Sequence, residues 1–342
     1  MDGQLEIYWN WTVAVYLFVA GVSAGAYGIS AFAYFFDREK YEKITRIGAY
    51  IAPFPLILGL LCLIADLERP AYFWKLLLTV KFTSVMSLGS WLLVVFSVFS
   101  FLHFYLWLPE RYDLAHLLDR IPAKWDRVAA VRWIKSSDFL RRVRHENLPR
   151  NRAVVAGWGI PLSIGVAIYT GVLLGILNAR PFWNNPILPF LFLFSAMKTG
   201  IAAISFAGWI SKTSQKMTRD EIQANQFMTH TIDFTLMVFS LIAVVLFVLG
   251  MYFSPRSSTE AARLILGGGY SVPFWLFAVG AGIVFPLAVA TYELVPHFFK
   301  GIHPREHRPW LAGVTASFVL LGGFVLRYVI VYAGQLTQVA LS

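Results

Sequence analysis

Apolar residues in this sequence run in long blocks and do not alternate with polar ones. Eight blocks approach or exceed the ~20 residues needed to cross a bilayer: 10–36, 46–65, 81–106, 153–177, 187–210, 229–251, 271–294 and 310–333. The runs are too continuous and too long for the strands of a membrane barrel. Only helices satisfy the backbone of such a segment in lipid. The pattern therefore predicts an all-α integral membrane protein with eight transmembrane helices. It forms one membrane domain over residues 1–342 and leaves no room for a large soluble one.

Composition agrees. The 342 residues are 58% hydrophobic and 14% charged, against about 25% charged in a soluble domain. The net charge of +10 could suggest nucleic acid, but its placement argues against that partner. Of 29 basic residues, 21 fall in the connections 37–46, 107–152, 211–228 and 295–309, and five lie on the other side (Arg69, Lys75, Arg180, Arg256 and Arg263). The positive-inside rule puts the four basic connections in the cytoplasm and both termini outside. The longest, 107–152, interleaves Trp125, Val128, Val131 and Ile134 with Arg127, Arg132 and Lys135. It reads as a basic amphipathic segment on an anionic inner leaflet. The start, MDGQLEIYWN, lacks the basic region of a cleavable signal peptide. A lone cysteine, Cys62, excludes an internal disulfide, a thiolate cluster and an iron–sulfur site.

Polar groups inside the apolar blocks narrow the chemistry. In the first block, Ala20, Gly21, Gly25 and Gly28 suit close helix packing. Tyr16 lies roughly 9 Å below the aromatic belt Tyr8-Trp9-Asn10-Trp11. The second block leaves through Asp66-Leu67-Glu68-Arg69-Pro70, which is either an interfacial ion pair or a source of proton acceptors. The following Tyr72–Leu78 reads as a segment lying in the interface. The fourth block carries Tyr169 and leaves through Asn178-Ala179-Arg180-Pro181-Phe182-Trp183-Asn184. Lys198, Asp233, Glu293 and Arg327 lie within spans, where an ionisable group normally faces the bundle interior with a partner. They are either structural pairs or proton carriers. The seven histidines sit at cytoplasmic helix ends or in cytoplasmic loops. None offers the mid-depth pair that a b-type haem requires, so no haem and no metal is expected in this chain.

Several stretches together resemble the NrfD/polysulfide reductase membrane-subunit family. They are Trp9-Asn10-Trp11-Thr12 with Leu17-Phe18-Val19-Ala20-Gly21, the Asp66–Pro70 exit, Tyr169–Leu174 with its Asn178–Asn184 continuation, and Gly322-Gly323 with Arg327 and Ala333-Gly334-Gln335. The resemblance covers nearly the whole chain and implies two four-helix bundles in a bacterial or archaeal cytoplasmic (inner) membrane. It implies a quinone-interacting anchor that exchanges electrons between menaquinone or ubiquinone and an outer-face four-cluster iron–sulfur subunit. That subunit would carry a molybdopterin catalytic subunit. The resemblance assigns Tyr169 to the quinone site. At the positions where polysulfide reductase uses an asparagine and a histidine, this chain has Val13 and Tyr16. Proton handling then passes to Asp66 or Glu68, with Lys198, Asp233, Glu293 and Arg327 as further candidates. Arg180 and Trp183 are expected where the partner docks.

Depth supports one site. Tyr169 lies roughly 12 Å from the outer end of its helix, close to the depth of Tyr16, with Asp66, Glu68 and Arg180 at the rim. The competing reading is a secondary transporter or proton-conducting bundle built on Lys198, Asp233, Glu293 and Arg327.

Overall fold

The computed structural model describes residues 9–67, 69–72, 74, 78, 81, 83–109, 148–211, 219–254, 256–300 and 309–337; over 219–227, 295–300 and 309 it describes backbone alone. Among these residues, eight helices are long and apolar enough to cross a membrane, one for each predicted block. Glu68 and most of the 107–152 and 72–78 segments lie outside the described residues.

The first crossing is α1, Trp11–Phe36. The second is broken into α2, Glu42–Ile51, and α3, Pro53–Ala65, which meet at Ala52. Pro53 and Pro55 have no N–H, so the helical ladder is interrupted there. The buried Ser23 hydroxyl of α1 donates to the Ala52 carbonyl at 2.6 Å, which satisfies a backbone group inside the apolar core. The third, fourth and fifth crossings are α4, Val85–Trp107, α5, Leu148–Gly175, and α6, Leu188–Ile210. The sixth is α7, Arg219–Tyr252, followed by a short helix α8, Arg256–Leu266. The seventh starts as a wide π-helical stretch, Pro273–Val284, and continues as α9, Phe285–Lys300. The last is α10, Pro309–Gln335.

Helix α1 is the hub, buried along most of its length. It packs against α2, α3, α5, α6 and α10. The closest approach is to α6, where a methyl group on Gly25 would overlap the backbone of Ala196, and one on Gly200 would overlap the backbone of Gly25. The small residues of α1 thus lie against Ala196 and Gly200 of α6. In lipid, where apolar burial gives no drive for helices to associate, such backbone contact is what lets dispersion hold two helices together. Away from α1, α4 packs on α5, α6 on α7 and α10, and the π-helical stretch on α10 through Gly282 and Gly322.

Candidate functional site

The turn after α5 is an internal latch. The Trp183 indole donates to the Ile330 carbonyl at 2.7 Å and stacks on Trp9 at 5.1 Å. Arg180 donates to the carbonyls of Gln335 and Thr337. The Asn185 amide reaches the Phe247 carbonyl at 3.1 Å, and its Oδ1 accepts from the Ile187 N–H. Gln335 in turn bonds both backbone groups of Trp9. The turn therefore ties the start of α1, the end of α5, α7 and the end of α10 together. Trp183 is 3% exposed. Both it and Arg180, expected at a docking surface, have their polar groups engaged inside the chain.

Beside the latch, Tyr16 of α1 and Tyr169 of α5 are half-buried. Tyr16 lies within electrostatic reach of both Tyr169 and Asp66. Asp66 caps the end of α3, and its Oδ1 accepts the Thr12 hydroxyl at 3.0 Å. Thr12 lies one turn before Tyr16, on the same face of α1. The Tyr169 phenol lies against the backbone of Gly89 in α4. Four crossings thus contribute to one cluster of polar groups.

The hydroxyls of these two tyrosines contrast with those of three others on the first two crossings. Tyr27, Tyr34 and Tyr50 donate to the carbonyls of Val155, Pro149 and Trp107. Among the described residues neither Tyr16 nor Tyr169 spends its hydroxyl on the protein. A phenol in a greasy setting normally finds a partner, so both donors remain available to an acceptor placed between them. Val13, three residues before Tyr16, is fully buried in the core cluster that also holds Leu174 and Phe182, and Tyr16 packs against that cluster. Its side chain packs in the core.

A second polar constellation runs through α6, α7, the seventh crossing and α10. Arg327 is fully buried. It donates to the Leu17 carbonyl at 3.0 Å, the Ser195 hydroxyl at 2.9 Å and the Gly323 carbonyl at 3.1 Å. Its guanidinium lies over the Phe192 ring at 5.2 Å, and its remaining nitrogen points toward Gly21, where a side chain would collide with it. Lys198, one turn after Ser195, donates to the Gly282 carbonyl at 3.1 Å. It lies within electrostatic reach of Arg327 and Asp233. Asp233 in turn senses Glu293, which pairs with His230 at 3.2 Å. Neither Lys198 nor Arg327 has a carboxylate within ion-pair distance among the described residues.

The sequence pattern did not point to Thr12, Gly89 or Ser195. Thr12 and Ser195 carry a signal, because each lies three or four residues from a candidate on its own helix. Nothing in sequence marks Gly89, whose role comes from a contact between two helices. His103, expected at a helix end, is fully buried. Its Nε2 lies 2.8 Å from the Ser30 hydroxyl, and its ring lies against Tyr27.

Several known proteins resemble this one along nearly its whole length. A family profile described as "Polysulphide reductase, NrfD" matches residues 3–340. A polysulfide reductase chain of Wolinella succinogenes is 34% identical over 98% of both proteins. Protein NrfD of Escherichia coli is 30% identical over 97% of this chain and 96% of its own. A selenate reductase subunit of Mesobacillus selenatarsenatis is 24% identical over 94% of this chain and 73% of its own. With the family profile spanning almost every residue, this multi-pass membrane protein belongs to the polysulphide reductase NrfD family.

Proposed function

We propose that this chain is the quinone-reactive membrane subunit of a respiratory reductase complex in the inner membrane of a bacterium or archaeon. The observation that carries the reading is the pair of unspent phenols, Tyr16 and Tyr169, converging beside the Thr12–Asp66 hydrogen bond. A quinone headgroup presents two carbonyl acceptors and an apolar ring, which suits two phenol donors set in an apolar wall. The bound menaquinone or ubiquinone would supply the two-electron chemistry. Tyr16 and Tyr169 orient its oxygens, and Asp66, whose carboxylate is held by Thr12, takes or returns the proton. The eight crossings form two four-helix bundles with α1 and α6 at the seam, and both termini face outward. The site then lies near the outer face, where a four-cluster iron–sulfur subunit exchanges electrons with the quinone and passes them to or from a molybdopterin subunit.

Tyr169→Phe tests this directly. The variant keeps the ring on Gly89 and removes only the donor. Quinol turnover by the purified complex should fall by about tenfold or more, the effect of ~1.4 kcal/mol or more of lost transition-state binding. Assembly and the partner's activity with an artificial dye should stay intact. Unchanged quinol turnover removes Tyr169 from the chemistry.

A second activity is favoured by the polar track Arg327–Ser195–Lys198–Asp233–Glu293–His230. It reaches from the residue following Tyr16, whose carbonyl Arg327 holds, to the His230–Glu293 pair between α7 and α9. Buried ionisable groups in membranes mark proton relays, and on this reading the track moves protons when the quinone turns over. Asp233→Asn should lower the proton-to-electron ratio in proteoliposomes while sparing electron transfer. An unaltered ratio makes the track structural. Charge movement without quinol would instead indicate a transporter.

A further inference from the structure

We propose that Gly89 is a positioning residue for Tyr169: the notch that its missing side chain leaves in α4 sets where the phenol hydroxyl stands. The inference rests on the quinone-site reading and adds a residue that makes no polar contact of its own. Gly89 is buried one turn into α4, facing α5. A methyl group there would overlap Cζ, Cε2 and the hydroxyl oxygen of Tyr169. All three are at the tip of a side chain that can swing about χ1 and χ2. Substitution at 89 therefore leaves the helices packed and moves the phenol, by ~2 Å to restore ordinary contact. The same helix pair provides a control, because a methyl group on Gly165 of α5 would sit 3.4 Å from Leu92, an ordinary contact. The notch thus differs from general close packing between α4 and α5. A second tyrosine resting on a glycine, Tyr27 on Gly159, has its hydroxyl fixed to the Val155 carbonyl. Tyr169 has no such tether among the described residues, so its hydroxyl is free to follow a ring that the notch seats.

Displacing a group that orients a reacting partner by an ångström or more can cost on the order of 10²-fold in rate. Gly89→Ala should therefore reduce kcat/KM for quinol to about the level of Tyr169→Phe, roughly tenfold or more, leave dye activity and subunit content unchanged, and alter thermal stability little. Gly165→Ala should be near neutral in every assay. In a Tyr169→Ala background, Gly89→Ala should add no further loss, because no phenol remains to be displaced. A full additional loss there, or an equal loss from Gly165→Ala, overturns the inference in favour of general interface loosening. Ring position is read separately with fluorotyrosine incorporated at 169. Its fluorine NMR signal should shift in Gly89→Ala and stay put in Gly165→Ala. An unmoved signal in Gly89→Ala overturns the notch whatever the turnover assay gives. A shifted signal with normal quinol turnover upholds the notch and refutes the quinone site.

Discussion

Trp183 gives the sharpest test between a docking role and a latch. In the structure its indole N–H donates to the Ile330 carbonyl at 2.7 Å, its ring stacks on Trp9, and its edge fills the space that a side chain at Gly334 would take. Trp183→Phe removes the hydrogen bond and keeps most of the stack. A neutral hydrogen bond contributes about 1 kcal/mol net, so the variant should lose ~1–1.5 kcal/mol. Trp183→Ala also leaves a cavity at a site 3% exposed, where truncating a buried Trp costs about 3–5 kcal/mol. Losing the aromatic pair adds roughly 0.5–1.5 kcal/mol more. Titration of the purified subunit with denaturing detergent, followed by circular dichroism, reads these losses. Affinity for the partner subunits should be unchanged in Trp183→Phe. The latch reasoning fails if that variant keeps its unfolding free energy but loses partner binding by tenfold or more.

Thr12→Val keeps the shape of the side chain and removes the donor to Asp66. Asp66 is exposed, so stability should change by less than ~1 kcal/mol, while kcat/KM for quinol should fall about fivefold; an unaffected kcat/KM excludes Thr12 from the site. Arg327→Met removes a buried cation that has no ion-pair partner among the described residues, and its carbonyl acceptors at 17 and 323 lie within helices. Replacing buried charge by a well-packed apolar side chain is often neutral or stabilising by about 1–4 kcal/mol. The unfolding free energy should therefore hold or rise while the proton-to-electron ratio falls; a marked loss of stability would make Arg327 a structural tie.

Trp183 also shows where sequence reasoning stops. Arg, Trp and paired Asn at the end of an apolar block have the composition of a membrane interface, and from composition alone they read as a surface. Which way each side chain turns depends on what lies opposite. Here that is the end of α10, more than 140 residues away in sequence. The tyrosine pair was legible for the opposite reason. Depth along a helix follows from a fixed rise per residue, so Tyr16 and Tyr169 could be set at one level without knowing the packing. That their hydroxyls are unspent, while those of Tyr27, Tyr34 and Tyr50 are engaged, depended on carbonyls contributed by other helices. Helix α8 carries only a local signal: Ala261, Ala262 and Ile265 recur at helical spacing and form its buried face. A search for long apolar blocks passes over it because the segment is too short and too polar to cross a bilayer.

What the sequence determined by itself is the solvent and the count of crossings. A bilayer forces every backbone group to be satisfied within its own segment, so each long apolar block has to become a helix whatever its neighbours are. The tertiary structure decided everything that depends on one helix meeting another. Lipid does not drive helices together, so the match of Gly25 to Gly200 and of Gly89 to Tyr169 selects the partners. That selection sets Thr12 on Asp66, turns Trp183 inward, and brings two phenols within electrostatic reach of each other.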